Sequence, residues 1–71
     1  MMHYLIKALV KKLEGDIAIA RANIQVYLDN SSGIGEHSDI VESIEGELGK
    51  LAEAEDKLNT ALEYFGEKED V

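Results

Sequence analysis

The sequence predicts an all-α fold, an antiparallel two-helix hairpin that associates into a four-helix bundle. Two long segments repeat apolar residues at alternating steps of three and four, which is the spacing of a helix face and not of a strand. A single polar segment containing glycine separates them, and proline is absent from the chain. At 71 residues the chain forms one domain, which we expect to cover residues 1–66 and to leave residues 67–71 as a frayed acidic tail.

The first helix is predicted over residues 2–29. At a rise of 1.5 Å per residue such a helix is about 42 Å long. Asn30 tolerates a left-handed conformation and is expected to end it. The apolar seam of this helix consists of His3, Ile6, Val10, Leu13, Ile17, Ala20, Ile24 and Tyr27.

The turn is predicted at residues 30–37, which are rich in Asn, Ser and Gly. The second helix follows over residues 38–65, with either Ser38 or Asp39 as its N-cap, since Glu42 stands three residues after Asp39 as in a capping box. Gly66 is expected to stop the helix. The seam of this helix is Val41, Ile44, Leu48, Leu51, Glu55, Leu58, Leu62 and Phe65.

Two helices of equal length with a short connection fold back antiparallel. Glu55 is the one acidic residue in the seams, and two interpretations are open. In the first, Glu55 is a buried carboxylate that binds a ligand or fixes the register of the helices. In the second, it is an edge residue that pairs with Lys11 or Lys12 while Ala54 turns inward. We favour the second interpretation. The predicted hairpin core is Ile6, Val10, Leu13, Ile17, Ile24, Ile44, Leu48, Leu51, Leu58, Leu62 and Phe65.

Apolar residues outside the seams predict a partner. A domain of this size buries too little apolar surface to be stable on its own, and without cysteine it has no disulfides to stabilise it. We therefore expect it to associate with a partner. The simplest closed assembly is a twofold homodimer that forms a four-helix bundle. A tetramer also fits the apolar coverage, and a monomer with scattered apolar surface residues is the competing interpretation. The predicted oligomer interface is Leu5, Leu9, Ile19, Val26, Leu28, Ile40, Ala54 and Ala61.

The net charge of −8 is unevenly distributed, with +1 (4 − 3) in residues 1–29 and −9 (3 − 12) in residues 30–71. An acidic chain repels nucleic acid on average, so nucleic acid is not the expected partner. We predict a non-enzymatic, homo-oligomeric module for protein interaction or a structural, accessory role. The alternative is an RNA- or nucleic-acid-binding hairpin that uses the basic residues of the first helix, where Lys7 and Lys11 are four residues apart with Lys12 beside them.

No catalytic, cofactor or metal site is predicted. The chain has no cysteine and two histidines, neither with a Glu three residues before it, the spacing of di-metal carboxylate bundles. Gly33 and Gly35 lack the strand and the third glycine of a dinucleotide motif. No apolar run approaches the ~20 residues that span a bilayer. The first residues lack the order of a signal peptide, so a cytoplasmic location is expected.

Two resemblances accompany this pattern. The stretches 33–40 and 51–58 resemble small uncharacterised proteins of tailed marine phages and marine metagenomes, which implies a phage or bacterial accessory protein and no particular activity. Asp39-Ile40, Glu42-Ser43 and Phe65-Gly66 are similar to the Rop family of hairpins, which dimerise into a four-helix bundle and bind paired RNA loops. The Rop resemblance implies the bundle fold and, for the alternative function, RNA contacts along the first helix. The nearest candidates for these contacts are Lys7, Lys11, Arg21 and Gln25.

Overall fold

A computed structural model describes residues 1–29 and 39–67 of the chain. These residues form two α-helices, α1 (Tyr4–Asp29) and α2 (Ile40–Phe65), which pack against each other. The predicted all-α two-helix hairpin is confirmed, and its association into a four-helix bundle stays a prediction. Each helix starts two residues after its predicted start. Neither of these two helices is long and apolar enough to cross a membrane. The predicted turn at 30–37, the caps Asn30 and Ser38, and tail residues 68–71 lie outside the described residues.

Specific contacts define the ends of α2. The side chain of Asp39 accepts a hydrogen bond from the backbone N–H of Glu42 at 3.1 Å, so Asp39 is confirmed as an N-cap. The backbone N–H of Gly66 donates to the carbonyl oxygen of Leu62 at 3.0 Å. A Cβ atom on Gly66 would collide with that same oxygen. The close approach of Gly66 to the Leu62 backbone therefore explains why a glycine stands here. Its φ of −74° is not left-handed, so a left-handed conformation is not the reason.

The buried core is small and rich in alanine. Leu13 is 3% exposed and Val10 9%, and both lie on the inward row that the sequence predicts for α1. The other buried residues of the described chain are Ala20, Ala54 and Ala61. Alanine lets two helix backbones approach closely, but its burial removes less apolar surface from water than burial of leucine does. Half-buried residues flank this core, namely Ile6, Ile17, Ile24, Ile44, Leu51 and Leu58.

On α2 the inward row differs from the predicted one. Three residues predicted in the hairpin core are exposed, namely Leu48 (54%), Leu62 (41%) and Phe65 (63%). Two residues predicted in the oligomer interface, Ala54 and Ala61, are buried instead. The helix is rotated so that the row one residue earlier meets α1. This rotation follows from size, since alanines at the contact let the helices pack more closely than leucines would.

The hairpin is long and thin. Its extents are 53 × 20 × 15 Å, and its radius of gyration is 16.0 Å, against ~11 Å for a compact domain of this length. Its accessible surface is 5702 Å², about 1300 Å² more than the ~4400 Å² expected of a compact monomer of this mass. Two helices side by side form one layer, which leaves both broad faces of the hairpin open.

Candidate interaction surfaces

Large apolar side chains are exposed on both broad faces of the hairpin. A helix turns by about 100° per residue, which places these side chains in two rows. We call the first row the α2 stripe, and its exposed members Val41, Leu48 and Leu62 are 78%, 54% and 41% accessible. Half-buried Ile44, Leu51 and Leu58 fill the spaces between them. The second row, the α1 stripe, lies on the opposite face and consists of Leu5, Leu9, Ile19 and Val26, between 41% and 61% exposed.

The face with the α1 stripe contains a shallow groove between the helices. Its volume is about 350 Å³, and its lining includes Leu9 and Ile19 of the stripe together with Ala20 and Ala54 of the core. A second recess of about 410 Å³ continues it past Leu9 toward Ile6 and Phe65. Both recesses are wide open to solvent, so this face offers a trough and not an enclosed ligand pocket.

Paired polar groups border this groove. The side-chain amide of Asn23 donates to Glu47 Oε1 at 2.9 Å, which links α1 to α2, and Lys50 Nζ lies 3.1 Å from Glu47 Oε2. The hydrogen bond from Asn23, followed by that from Lys50, lowers the pKa of the Glu47 carboxyl below its ordinary value. Two further ion pairs lie on this face: Lys12–Asp16 at 2.6 Å and Lys57–Glu53 at 3.0 Å.

The face with the α2 stripe has a different chemistry. Glu55 is the only charged residue within the row, and it is exposed. Its predicted pairing with Lys11 or Lys12 is not found, because Lys11 lies 3.6 Å from Glu14 and Lys12 pairs with Asp16. The other half of that interpretation, in which Ala54 turns inward, agrees with the 5% exposure of Ala54.

The remaining residues of the predicted oligomer interface lie at the end of the hairpin next to residues 30–38. Leu28 is 62% exposed, and its helical position places it on the same face as the α2 stripe, near Val41. Ile40 is half-buried. The predicted interface therefore does not form one surface, since two alanines lie in the core, four residues form the α1 stripe, and Leu28 belongs to the opposite face.

The candidate nucleic-acid contacts share one side of α1. Lys7, Lys11, Arg21 and Gln25 fall within an arc of about 80° on the helix. Acidic groups lie among them, because Lys11 pairs with Glu14 and the Gln25 amide donates to Asp29 at 2.9 Å. The structure thus groups the predicted residues, but it does not give them a strongly positive surface.

Sequence reasoning missed the Asn23–Glu47 hydrogen bond, because nothing in the pattern distinguishes these two residues from other surface polar residues.

Within residues 1–29 and 39–67, no group of three or more His, Cys, Asp or Glu side chains is arranged to hold a metal ion. Comparison with models of protein families, with curated proteins and with solved structures finds no match for this chain. The phage and Rop resemblances therefore stay predictions.

Proposed function

We propose that this chain is a non-enzymatic helical module of the cytoplasm that self-associates and acts in protein interaction or as a small accessory or structural protein. The observation that carries the proposal is the mismatch between core and surface. The five buried residues of the described chain include three alanines, whereas leucine, isoleucine and valine side chains stay more than 40% exposed in rows on both faces. Contiguous apolar surface of this kind marks interaction sites.

The surface area supports self-association in particular. A stable interface buries roughly 800 Å² per partner. The hairpin carries about 1300 Å² beyond the surface of a compact monomer of its mass, so a contact of standard size fits within the excess. A homodimer needs no other molecule to supply a complementary surface, since a twofold contact uses the same patch on both copies.

Solution mass across a dilution series tests this proposal. Light scattering over a tenfold range of concentration is expected to give at least twice the chain mass of 7.8 kDa. The melting temperature is expected to rise with concentration, because association stabilises the folded state by mass action. A well-folded 7.8 kDa species whose melting temperature does not change with concentration would contradict self-association.

RNA binding by Lys7, Lys11, Arg21 and Gln25 of α1 is the competing function, and it needs a separate assay. We expect no binding of a fluorescent paired RNA loop at low salt, where phosphate contacts are strongest. Binding that weakens with salt and is lost in the Lys7→Glu/Lys11→Glu double variant would favour RNA binding instead. The matched control is Lys50→Glu/Lys57→Glu, which makes the same change in charge on α2.

A further inference from the structure

The two apolar stripes differ in their surroundings, and this difference indicates which one binds a second copy. We propose that self-association occurs through the α2 stripe, by a twofold contact between two copies of this chain, and that the α1 stripe stays on the outside of the dimer. This inference rests on the proposed self-association and names the surface that performs it.

The α2 stripe is an apolar row with one charged position, Glu55. Its members recur at steps of three and four from Val41 to Leu62, which gives a row about 32 Å long. Half-buried Ile44, Leu51 and Leu58 connect the exposed residues to the hairpin core. A second copy that covers this row would extend the core outward, as in a four-helix bundle.

The α1 stripe, in contrast, is interrupted by polar groups that are already paired. Lys12 and Asp16 lie between Leu9 and Ile19 and are 2.6 Å apart, and Asn23 lies between Ile19 and Val26. The α2 side of the same face adds the Glu47–Lys50 and Glu53–Lys57 ion pairs. Covering this face would remove these charges from water, a cost that their mutual attraction does not reliably offset.

The geometry of the α2-stripe face suits a second copy. The broad face of the hairpin measures about 53 × 20 Å, which is large enough for the roughly 800 Å² that each partner loses in a standard interface. A twofold contact places the stripe of one copy against the stripe of the other, so apolar groups meet apolar groups. Glu55 is the single charge within the stripe itself, and the α1 side of this face adds Lys7, Glu14 and Arg21, which precede Leu28 at steps of seven residues.

A matched pair of substitutions tests this inference, Leu48→Gln on the α2 stripe and Ile19→Gln on the α1 stripe. Both residues are aliphatic, both lie in the interior of a helix, and they are 54% and 61% exposed in the hairpin. We expect Leu48→Gln to raise the dissociation constant at least about tenfold, because each dimer buries this side chain twice. Ile19→Gln is expected to change it by less than about threefold. Sedimentation equilibrium measures both, and circular dichroism confirms that each variant is helical.

The outcomes separate this inference from the proposed function. A monomeric wild-type chain overturns both. A wild-type oligomer that dissociates with Ile19→Gln and not with Leu48→Gln leaves self-association standing and shows that the surface is wrong. Dissociation by both variants shows that both faces are used, as in a tetramer, and also overturns the inference.

Single-cysteine variants give a second measurement if Leu48→Gln fails to fold. The chain has no cysteine, so Leu48→Cys and Ile19→Cys each introduce one reporter. At high protein concentration we expect a maleimide to label Leu48→Cys several-fold more slowly than Ile19→Cys, and the two rates to converge on dilution. Equal rates at all concentrations in an oligomeric protein would contradict the proposed surface.

Discussion

Replacing Ala54 by leucine tests which row of α2 faces α1. Ala54 is 5% exposed and borders the groove near Ala20 and Leu13, so three added carbon atoms crowd the contact between the helices. Overpacking of this kind costs about 1–3 kcal/mol, while alanine and leucine have similar helix propensities. We expect the free energy of unfolding to fall by that amount in urea titrations followed by circular dichroism. Protein concentration is held fixed, because the proposed association would contribute to the apparent stability.

The control for this experiment introduces the same side chain one residue later. Glu55→Leu changes an exposed position, so the hairpin itself gains no clash. We expect no loss of stability from Glu55→Leu, and a gain at concentrations at which the proposed dimer forms. If Ala54→Leu were harmless and Glu55→Leu destabilising, the inward row would pass through Glu55, and our account of how α2 packs would be refuted.

Three further changes have defined outcomes. Leu13→Ala removes the best-buried large side chain, which is 3% exposed, and is expected to lower the free energy of unfolding by about 2–4 kcal/mol. Leu5→Ala, at a position that is 61% exposed, should lower it by less than about 0.5 kcal/mol. Equal losses from the two variants would contradict the assignment of Leu13 to the core. Asn23→Ala removes the main hydrogen bond to Glu47, so an NMR titration should show the Glu47 pKa rising toward its ordinary value. Because the folded-state pKa of Glu47 lies below the unfolded value, its stabilising effect is present at neutral pH and lost as the pH falls through the folded-state pKa; the variant should therefore lose less stability on acidification than the wild-type chain. Gly66→Ala should reduce hydrogen-exchange protection in the last turn of α2. The free energy of global unfolding should fall by about 1 kcal/mol or less, since a terminal turn can fray. Unchanged protection would show that the added Cβ atom avoids the clash with the backbone carbonyl oxygen of Leu62.

The helices were predictable because their period is repeated over many residues. On α1 one row of large apolar residues dominates, and it is the row that faces α2. On α2 two rows one residue apart share Ile44, Leu51 and Leu58, so periodicity alone fixes the orientation only to within about 100°. The sequence favours the row with more hydrophobic residues, whereas the contact between the helices uses the alanine row.

The cross-helix contacts were less accessible to sequence reasoning. The Asn23–Glu47 hydrogen bond depends on the register between the helices, which is a long-range property. The capping interaction of Asp39 was predictable because it involves only the next three residues along the chain. Local contacts thus follow from local patterns, while contacts between helices depend on how closely the backbones approach, and therefore on the size of the side chains between them.

The same consideration of size connects the structure of the hairpin to its proposed association. Burying alanine contributes far less than burying leucine, because the driving force scales with the apolar area removed from water. A hairpin in which three of the five buried residues of the described chain are alanines therefore has little stability from its own contact. The larger side chains of the α2 stripe contribute fully only when a second copy covers them. On the proposed assembly, folding and dimerisation are coupled, and substitutions in the α2 stripe should lower the melting temperature most at concentrations near the dissociation constant.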